Sequence, residues 1–97
     1  MSRRLVDYVN VRNVFKNIVA NTQIAEITFA ENKDTLAVHL GITHDNNKLD
    51  YFFIHGNTQV CRFLNDEDVR VMTTNPENLE RHIIWDIEDF MRGKTIA

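Results

Sequence analysis

Short strand-like segments fill the middle of this chain, and they limit the fold more than any other feature. Four such segments cover residues 24–31, 35–43, 49–55 and 58–64, and the first two alternate apolar and polar residues. The stretches between them are rich in Asn, Asp and Gly and cover 32–34, 44–48 and 56–57. Because connections of hairpin length join antiparallel neighbours, the pattern predicts an antiparallel meander. Residues 69–72 fit either a fifth short strand or a single helical turn.

Two segments with helical spacing flank this meander. The apolar stripe of residues 3–20 consists of Tyr8, Val11, Phe15 and Ile18. The stripe of residues 76–92 spans an arc of about 140° and consists of Leu79, Ile83, Ile84, Ile87, Phe90 and Met91. Asn75 before Pro76 fits an N-cap followed by the first helical residue, with Thr74 and Glu77 as a competing capping box. Gly93 fits the left-handed residue that ends such a helix.

Together these elements predict a two-layer α+β sandwich, formed by residues 1–97 as a single domain. We expect an N-terminal helix, an antiparallel meander of four to five strands and a C-terminal helix, with both helices on one face of the sheet. The single cysteine, Cys61, excludes an intrachain disulfide and favours a reducing compartment. Apolar runs of the length that a signal peptide or a membrane span needs are missing, so we expect a cytoplasmic protein without membrane contact.

The segment 49–55 is apolar on both of its sides. One side carries Leu49, Tyr51 and Phe53, and the other carries Asp50, Phe52 and Ile54. Such a strand is expected where both faces of a sheet are buried, yet the two helices cover only one face. Whichever set enters the core, large apolar side chains remain on the second face beside His39 and Thr43. This second face is therefore a candidate interface for a partner or for a second copy of the chain.

Trp85 is the other anomaly, because it lies nearly opposite the apolar stripe of the last helix. Its neighbours on that polar side are Arg81, Glu88, Asp89 and Arg92. Trp and Arg are enriched at binding hot spots, so this surface is a second candidate interface. Two alternatives remain: Trp85 covers a nearby loop, or the helix is rotated so that Trp85 enters the core and Leu79 or Phe90 moves to its rim.

The net charge of -3 is unevenly distributed along the chain. Residues 1–20 carry four basic and one acidic side chain, whereas residues 65–90 carry eight acidic and two basic ones. The acidic part suits a basic protein surface. The basic residues of the first helix, Arg4, Arg12 and Lys16, suit phosphates. A sequence pI of about 5.7 argues against a nucleic-acid-binding domain, which we keep as an alternative.

These features predict a non-enzymatic protein-interaction module, such as an adaptor, an inhibitor or a small regulatory protein. The predicted partner-binding residues are Trp85, Arg81, Glu88, Asp89, Arg92, His39 and Tyr51. A small enzyme that uses His55 with Cys61, or a carboxylate such as Asp50, is a third hypothesis. Gly41, Gly56 and Gly93 are isolated, and no metal-binding or catalytic motif occurs, so neither a metal nor a cofactor is expected.

Overall fold

The computed structural model describes residues 3–23 and 26–93. The elements in chain order are α1 (Arg3–Asn21), β1 (Glu26–Asn32), β2 (Ala37–His44), β3 (Asn47–Ile54), β4 (Val60–Leu64), β5 (Asp68–Met72) and α2 (Pro76–Met91). The strands form one antiparallel sheet in the spatial order β1-β2-β3-β4-β5. The predicted α+β class, with a meander between two helices, is confirmed, and residues 69–72 belong to a strand. Ile24 and Ala25, where the first strand was expected to begin, lie outside the described residues.

Two tight turns place the strand ends differently from the sequence pattern. Asp45 and Asn46, with φ of 50° and 65°, form the whole connection between β2 and β3. Asn65 and Asp66, with φ of 54° and 63°, lie in the turn between β4 and β5. Asn and Asp tolerate this left-handed conformation, which two-residue hairpin turns require. The predicted polar loop 44–48 is therefore mostly strand.

The core lies between the two helices and one face of the sheet. Helix α1 buries Tyr8, Val11, Val14, Phe15 and Ile18, and α2 buries Leu79, Ile83, Ile87 and Phe90. These side chains pack on Val38, Leu40, Ile42, Leu49, Tyr51, Phe53 and Val60 of the sheet. Burial of apolar area on this scale is the main stabilising contribution to a domain of this size.

Helix α2 begins and ends where its sequence signals place it. The Asn75 side chain accepts a hydrogen bond from the backbone N–H of Asn78 at 3.1 Å, so Asn75 is the N-cap and Thr74 is not. Gly93 follows the helix with φ of 73°. One expectation for the stripe is wrong: Ile84 is exposed rather than buried. It lies at the edge of the predicted arc, and residues Leu79, Ile83, Ile87 and Phe90 already fill the core side.

Candidate functional site

The face of the sheet turned away from the helices carries the candidate site. In β3, Leu49, Tyr51 and Phe53 enter the core, so Asp50, Phe52 and Ile54 point to the other side. The strand register places on that side Glu26, Thr28, Ala30, Ala37, His39, Gly41, Thr43, Lys48, Asp50, Phe52, Ile54, Cys61, Phe63, Val69 and Val71. We call this set the open face, because α1 and α2 both pack on the opposite side.

A concave cavity of about 550 Å³ occupies the β1–β4 part of the open face. Its lining includes Thr28, His39, Gly41, Asp50, Phe52 and Phe63. A volume of this size lies within the range of small-molecule and side-chain binding sites. The cavity combines polar groups on β1, β2 and β3 with aromatic rings on β3 and β4. It is therefore suited to a ligand with one charged end and an apolar body.

A hydrogen-bonded pair, His39 and Asp50, lies at the centre of this cavity. The distance from His39 Nε2 to Asp50 Oδ1 is 2.8 Å. An ionised carboxylate only accepts hydrogen bonds, so Nε2 is the donor. Asp50 is 8% exposed, and its other oxygen, Oδ2, is buried without a hydrogen-bond partner among the described residues. An unpaired buried acceptor costs about 1–3 kcal/mol, which a bound donor would recover.

Gly41 is the residue that allows this pair to form. It lies directly opposite Asp50 in the register and two residues after His39 on β2, and a Cβ atom there would be 3.0 Å from His39 Cε1 and 3.2 Å from Asp50 Oδ1. The nearest Thr28 atom, Oγ1, would be 3.3 Å away. Such contacts are tighter than ordinary van der Waals separations, so a side chain would push the pair apart. Glycine in a strand often marks a close approach of other groups, and here the side chains of His39, Asp50 and Thr28 approach the Gly41 backbone.

The charges around the cavity are mostly negative. Glu26, Asp50 and Asp66 line it together with Lys48 and His39. Lys48 Nζ lies 3.8 Å from Asp66 Oδ1, but both side chains are more than half exposed and such a pair contributes little. Glu26 is exposed and forms no salt bridge within the described residues. The cavity therefore favours a cationic ligand group over an anionic one.

The β4–β5 part of the open face is apolar. Cys61 lies opposite Phe52 and Val71 in the register, and Phe63 lies opposite Val69. Val69 and Val71 are 54% and 57% exposed although valine is a strongly apolar residue. Residues of this kind on an edge strand form a contiguous patch that favours contact with another chain.

The outer surface of α2 is the second exposed region. Trp85 is 54% exposed, whereas Leu79 and Phe90 are buried, so the helix is not rotated. The ring of Trp85 contacts its own helix: the Arg81 guanidinium lies 5.9 Å from its centroid, and the His82 ring meets it edge-on, also at 5.9 Å. Glu88 and Arg92 are exposed and Asp89 is half-buried. Two cavities of about 300 and 330 Å³ lie along the margins of this helix, and they are lined in part by Ile84 with Glu88 and by His82 with Asp86.

The structure separates the predicted binding residues into three places. His39 lies on the open face, and Trp85, Arg81, Glu88, Asp89 and Arg92 lie on α2. Tyr51 lies in the core with no exposed surface, so its assignment to a partner-binding surface is wrong. It faces inward because Leu49, Tyr51 and Phe53 form the set that meets the helices. Gly41, Phe63 and Val71 were not among the predicted site residues. Alternation within β2 places Gly41 on the same face as His39, whereas the strand register is needed to bring Phe63 and Val71 to that face.

Tyr51 belongs instead to a buried polar network. Its hydroxyl donates to Asp86 Oδ2 at 2.9 Å, and Arg62 Nη1 donates to the same oxygen at 3.0 Å. Burial raises the pKa of Tyr51 well above 10.0, and the Asp86 carboxylate raises it further through its charge and its hydrogen bond. The Arg62 charge acts in the opposite direction. This network ties α2 to β3 and β4.

The raised pKa of Tyr51 predicts a loss of stability at alkaline pH. In the unfolded chain the phenol ionises near pH 10, whereas in the folded chain it keeps its proton. The contribution of this pKa shift to the free energy of unfolding is therefore complete below pH 10. Above pH 10 it falls by up to about 1.4 kcal/mol per pH unit. Urea unfolding of the wild type and Tyr51→Phe should show a stability difference that is constant at pH 7–9 and shifts against the wild type above pH 10. Parallel pH profiles would contradict this assignment.

The other predicted sites are not assembled within the described residues. Arg12 stacks over Tyr8 at 5.7 Å and lies 3.9 Å from Glu31, so this basic residue of α1 is engaged within the fold. His55 lies at the turn after β3, and Cys61 is paired in register with Phe52 rather than with His55. Among the same residues, no three potential metal ligands come together. None of the described helices is long and apolar enough to cross a membrane.

The cavity, its polar pair and the apolar strands beside it thus define the candidate site by geometry. Comparison of the chain with protein-family models, with curated proteins and with solved structures gives no match.

Proposed function

We propose that this chain is a non-enzymatic protein-interaction module, an adaptor, inhibitor or small regulatory protein, whose open face binds a segment of a partner protein. One observation supports this most: a sheet face that neither helix covers carries exposed valines and half-buried aromatic rings around a cavity. Side chains of this kind are usually buried, and a partner would bury them. The open face is selected over the α2 surface because its cavity of about 550 Å³ is larger than the cavities of about 300 and 330 Å³ beside α2.

The chemistry of the open face suits a partner segment with apolar side chains and a basic one. The apolar patch of Cys61, Phe63, Val69 and Val71 would receive the former. The acidic cavity next to it would favour a basic residue, because opposite charges at an interface align the two chains and exclude wrong partners. The excess of acidic residues over 65–90 acts in the same direction by attracting a basic protein at longer range.

The enzymatic alternative has less support. His39 is oriented by Asp50 as a general base would be, but nucleophilic catalysis also needs a hydroxyl or thiol within hydrogen-bond reach of the imidazole. Among the described residues, His39 has a hydrogen bond only to Asp50. Cys61 lies next to Phe52, one strand further along the sheet.

Binding can be tested with peptides selected from a random displayed library on the immobilised wild-type protein. The double variant Val69→Lys/Val71→Lys removes the apolar patch and adds charge of the partner's sign. We expect it to bind the selected peptides about tenfold more weakly or worse, measured by fluorescence anisotropy. Lysine is well tolerated on exposed edge strands, so the fold should be preserved. Val6→Lys is the matched control, because Val6 is an exposed valine on α1.

Three outcomes would overturn the proposal. The first is equal loss of affinity in the Val6→Lys control. The second is loss of peptide binding in Trp85→Ala with Val69→Lys/Val71→Lys unaffected, which would assign binding to α2. The third is a dimer, seen by light scattering at micromolar concentration, that dissociates in the double variant, because the open face would then be covered by a second copy.

A further inference from the structure

We infer that the cavity around Asp50 binds the cationic side chain of an arginine or lysine in the partner segment. This inference rests on the proposed function, because the cation is a side chain of the partner protein. The open face has an acidic end and an apolar end. At the acidic end, Asp50 is the carboxylate that would bind the cation. Among residues 3–23 and 26–93, no hydrogen-bond donor reaches the second carboxylate oxygen of Asp50.

The position of Asp50 is unusual for a carboxylate that only stabilises a fold. It occupies the middle of a largely apolar strand, between buried Leu49 and Tyr51, and is itself 8% exposed. Buried carboxylates normally have their oxygens hydrogen-bonded or paired with charge. Here Oδ1 has His39, and Oδ2 has no hydrogen-bond donor within the described residues. The second oxygen therefore has acceptor capacity that no described residue fills.

The carboxylate is able to turn toward the cavity. The terminal torsion of aspartate is broad, so rotation about it costs little. Asp50, His39 and Gly41 all line the cavity, and the missing side chain at Gly41 leaves room for the hydrogen bond between His39 and Asp50. A donor entering from the open side thus meets Asp50 next to the Thr28 hydroxyl. Arginine and lysine supply several N–H donors on one group, which matches these acceptors.

The rest of the cavity wall also favours a cation. Glu26 adds a second carboxylate on β1. Phe52 and Phe63 contribute aromatic rings on the other side, and aromatic faces attract guanidinium and ammonium groups. The aliphatic stem of arginine or lysine would lie against these rings while its charged end reaches Asp50.

The test uses the protein alone with four small probes and assigned backbone NMR spectra. N-acetyl-argininamide and N-acetyl-lysinamide are cationic, and N-acetyl-citrullinamide and N-acetyl-norleucinamide are their neutral counterparts. We expect the cationic probes to shift the amide signals of Thr28, Gly41 and Asp50, and the neutral ones to leave them unchanged. Asp50→Asn should weaken binding at least about tenfold.

A second variant keeps the test decisive if Asp50→Asn does not fold. Glu26→Gln, on an exposed residue at the edge of the cavity, should weaken binding about threefold by removing one charge. Glu88→Gln is the matched control, because Glu88 is exposed on α2. Equal shifts from the cationic and neutral probes would overturn the inference. Unchanged affinity in folded Asp50→Asn, or equal effects of Glu26→Gln and Glu88→Gln, would also do so.

Failure of this inference is distinguishable from failure of the proposed function. If selected peptides still lose affinity in Val69→Lys/Val71→Lys while the cationic probes do not bind, the open face is an interface without a cation site. If the selected peptides bind elsewhere, the proposed function fails, and a partner's arginine or lysine has no reason to reach Asp50.

Discussion

Replacing Asp86 by alanine is expected to lower the free energy of unfolding by about 3–5 kcal/mol, the typical cost of breaking a buried ion pair from one side. Arg62 is only 4% exposed and donates to Asp86 at 3.0 Å. Without the carboxylate, the Arg62 charge stays buried and loses an ion-pair partner at 3.0 Å. The Tyr51 hydroxyl loses its acceptor at the same time.

Urea unfolding at pH 7 measures this effect. Glu88→Ala is the matched control, because Glu88 is an exposed carboxylate two residues further along α2 and should change stability by less than about 0.5 kcal/mol. Asp86→Asn keeps an acceptor oxygen but removes the charge, so its loss of unfolding free energy should lie between those of Asp86→Ala and Glu88→Ala. If Asp86→Ala and Glu88→Ala cost the same, the buried network contributes nothing to stability.

The architecture of this chain could be predicted from the sequence because local signals and long-range packing agree. The spacing of Tyr8, Val11, Phe15 and Ile18 predicts the buried side of α1, and Asn75 and Gly93 mark the ends of α2. Each of these features depends on a few neighbouring residues and on rules that hold in any fold. Agreement between local preference and tertiary packing is typical of sequences that fold to a single structure.

The site could be predicted only in part, because its residues are far apart in sequence. The register Gly41 to Asp50 and Asp50 to Phe63 brings three strands together. The first of these pairings depends on the two-residue turn at Asp45 and Asn46. The sequence indicates a five-residue loop over 44–48, and a loop of that length does not determine which residues of the two strands pair. The hydrogen bond between His39 and Asp50 follows from the register, so alternation alone does not reveal it.

The orientation of β3 is the other feature that the sequence leaves open. Both of its sides are apolar, so hydrophobic pattern cannot choose between Tyr51 with Phe53 and Phe52 with Ile54. The choice depends on the whole set of side chains in the helix–sheet layer. Asp50 provides a further reason: the inward orientation of Phe53 places Asp50 outside the core, where His39 can pair with it.

Two adjacent phenylalanines test this orientation directly. Phe53→Ala should lower the free energy of unfolding by about 3–5 kcal/mol, because Phe53 is fully buried between the helices and the sheet and its removal leaves a cavity. Phe52→Ala should cost much less, about 1 kcal/mol, because Phe52 is half-buried on the open face and water can fill its place. Both substitutions remove the same atoms from the same strand, so strand propensity cancels in the comparison.

Urea unfolding of the two variants under identical conditions gives the answer. A larger loss of stability for Phe53→Ala would place Phe52, with Asp50, on the side available to a partner. A larger loss for Phe52→Ala would mean that β3 is turned over, because a register shift of one residue exchanges the two faces of a strand. In that case His39 and Asp50 would no longer share the open face with Val69 and Val71, and the proposed binding site would not exist.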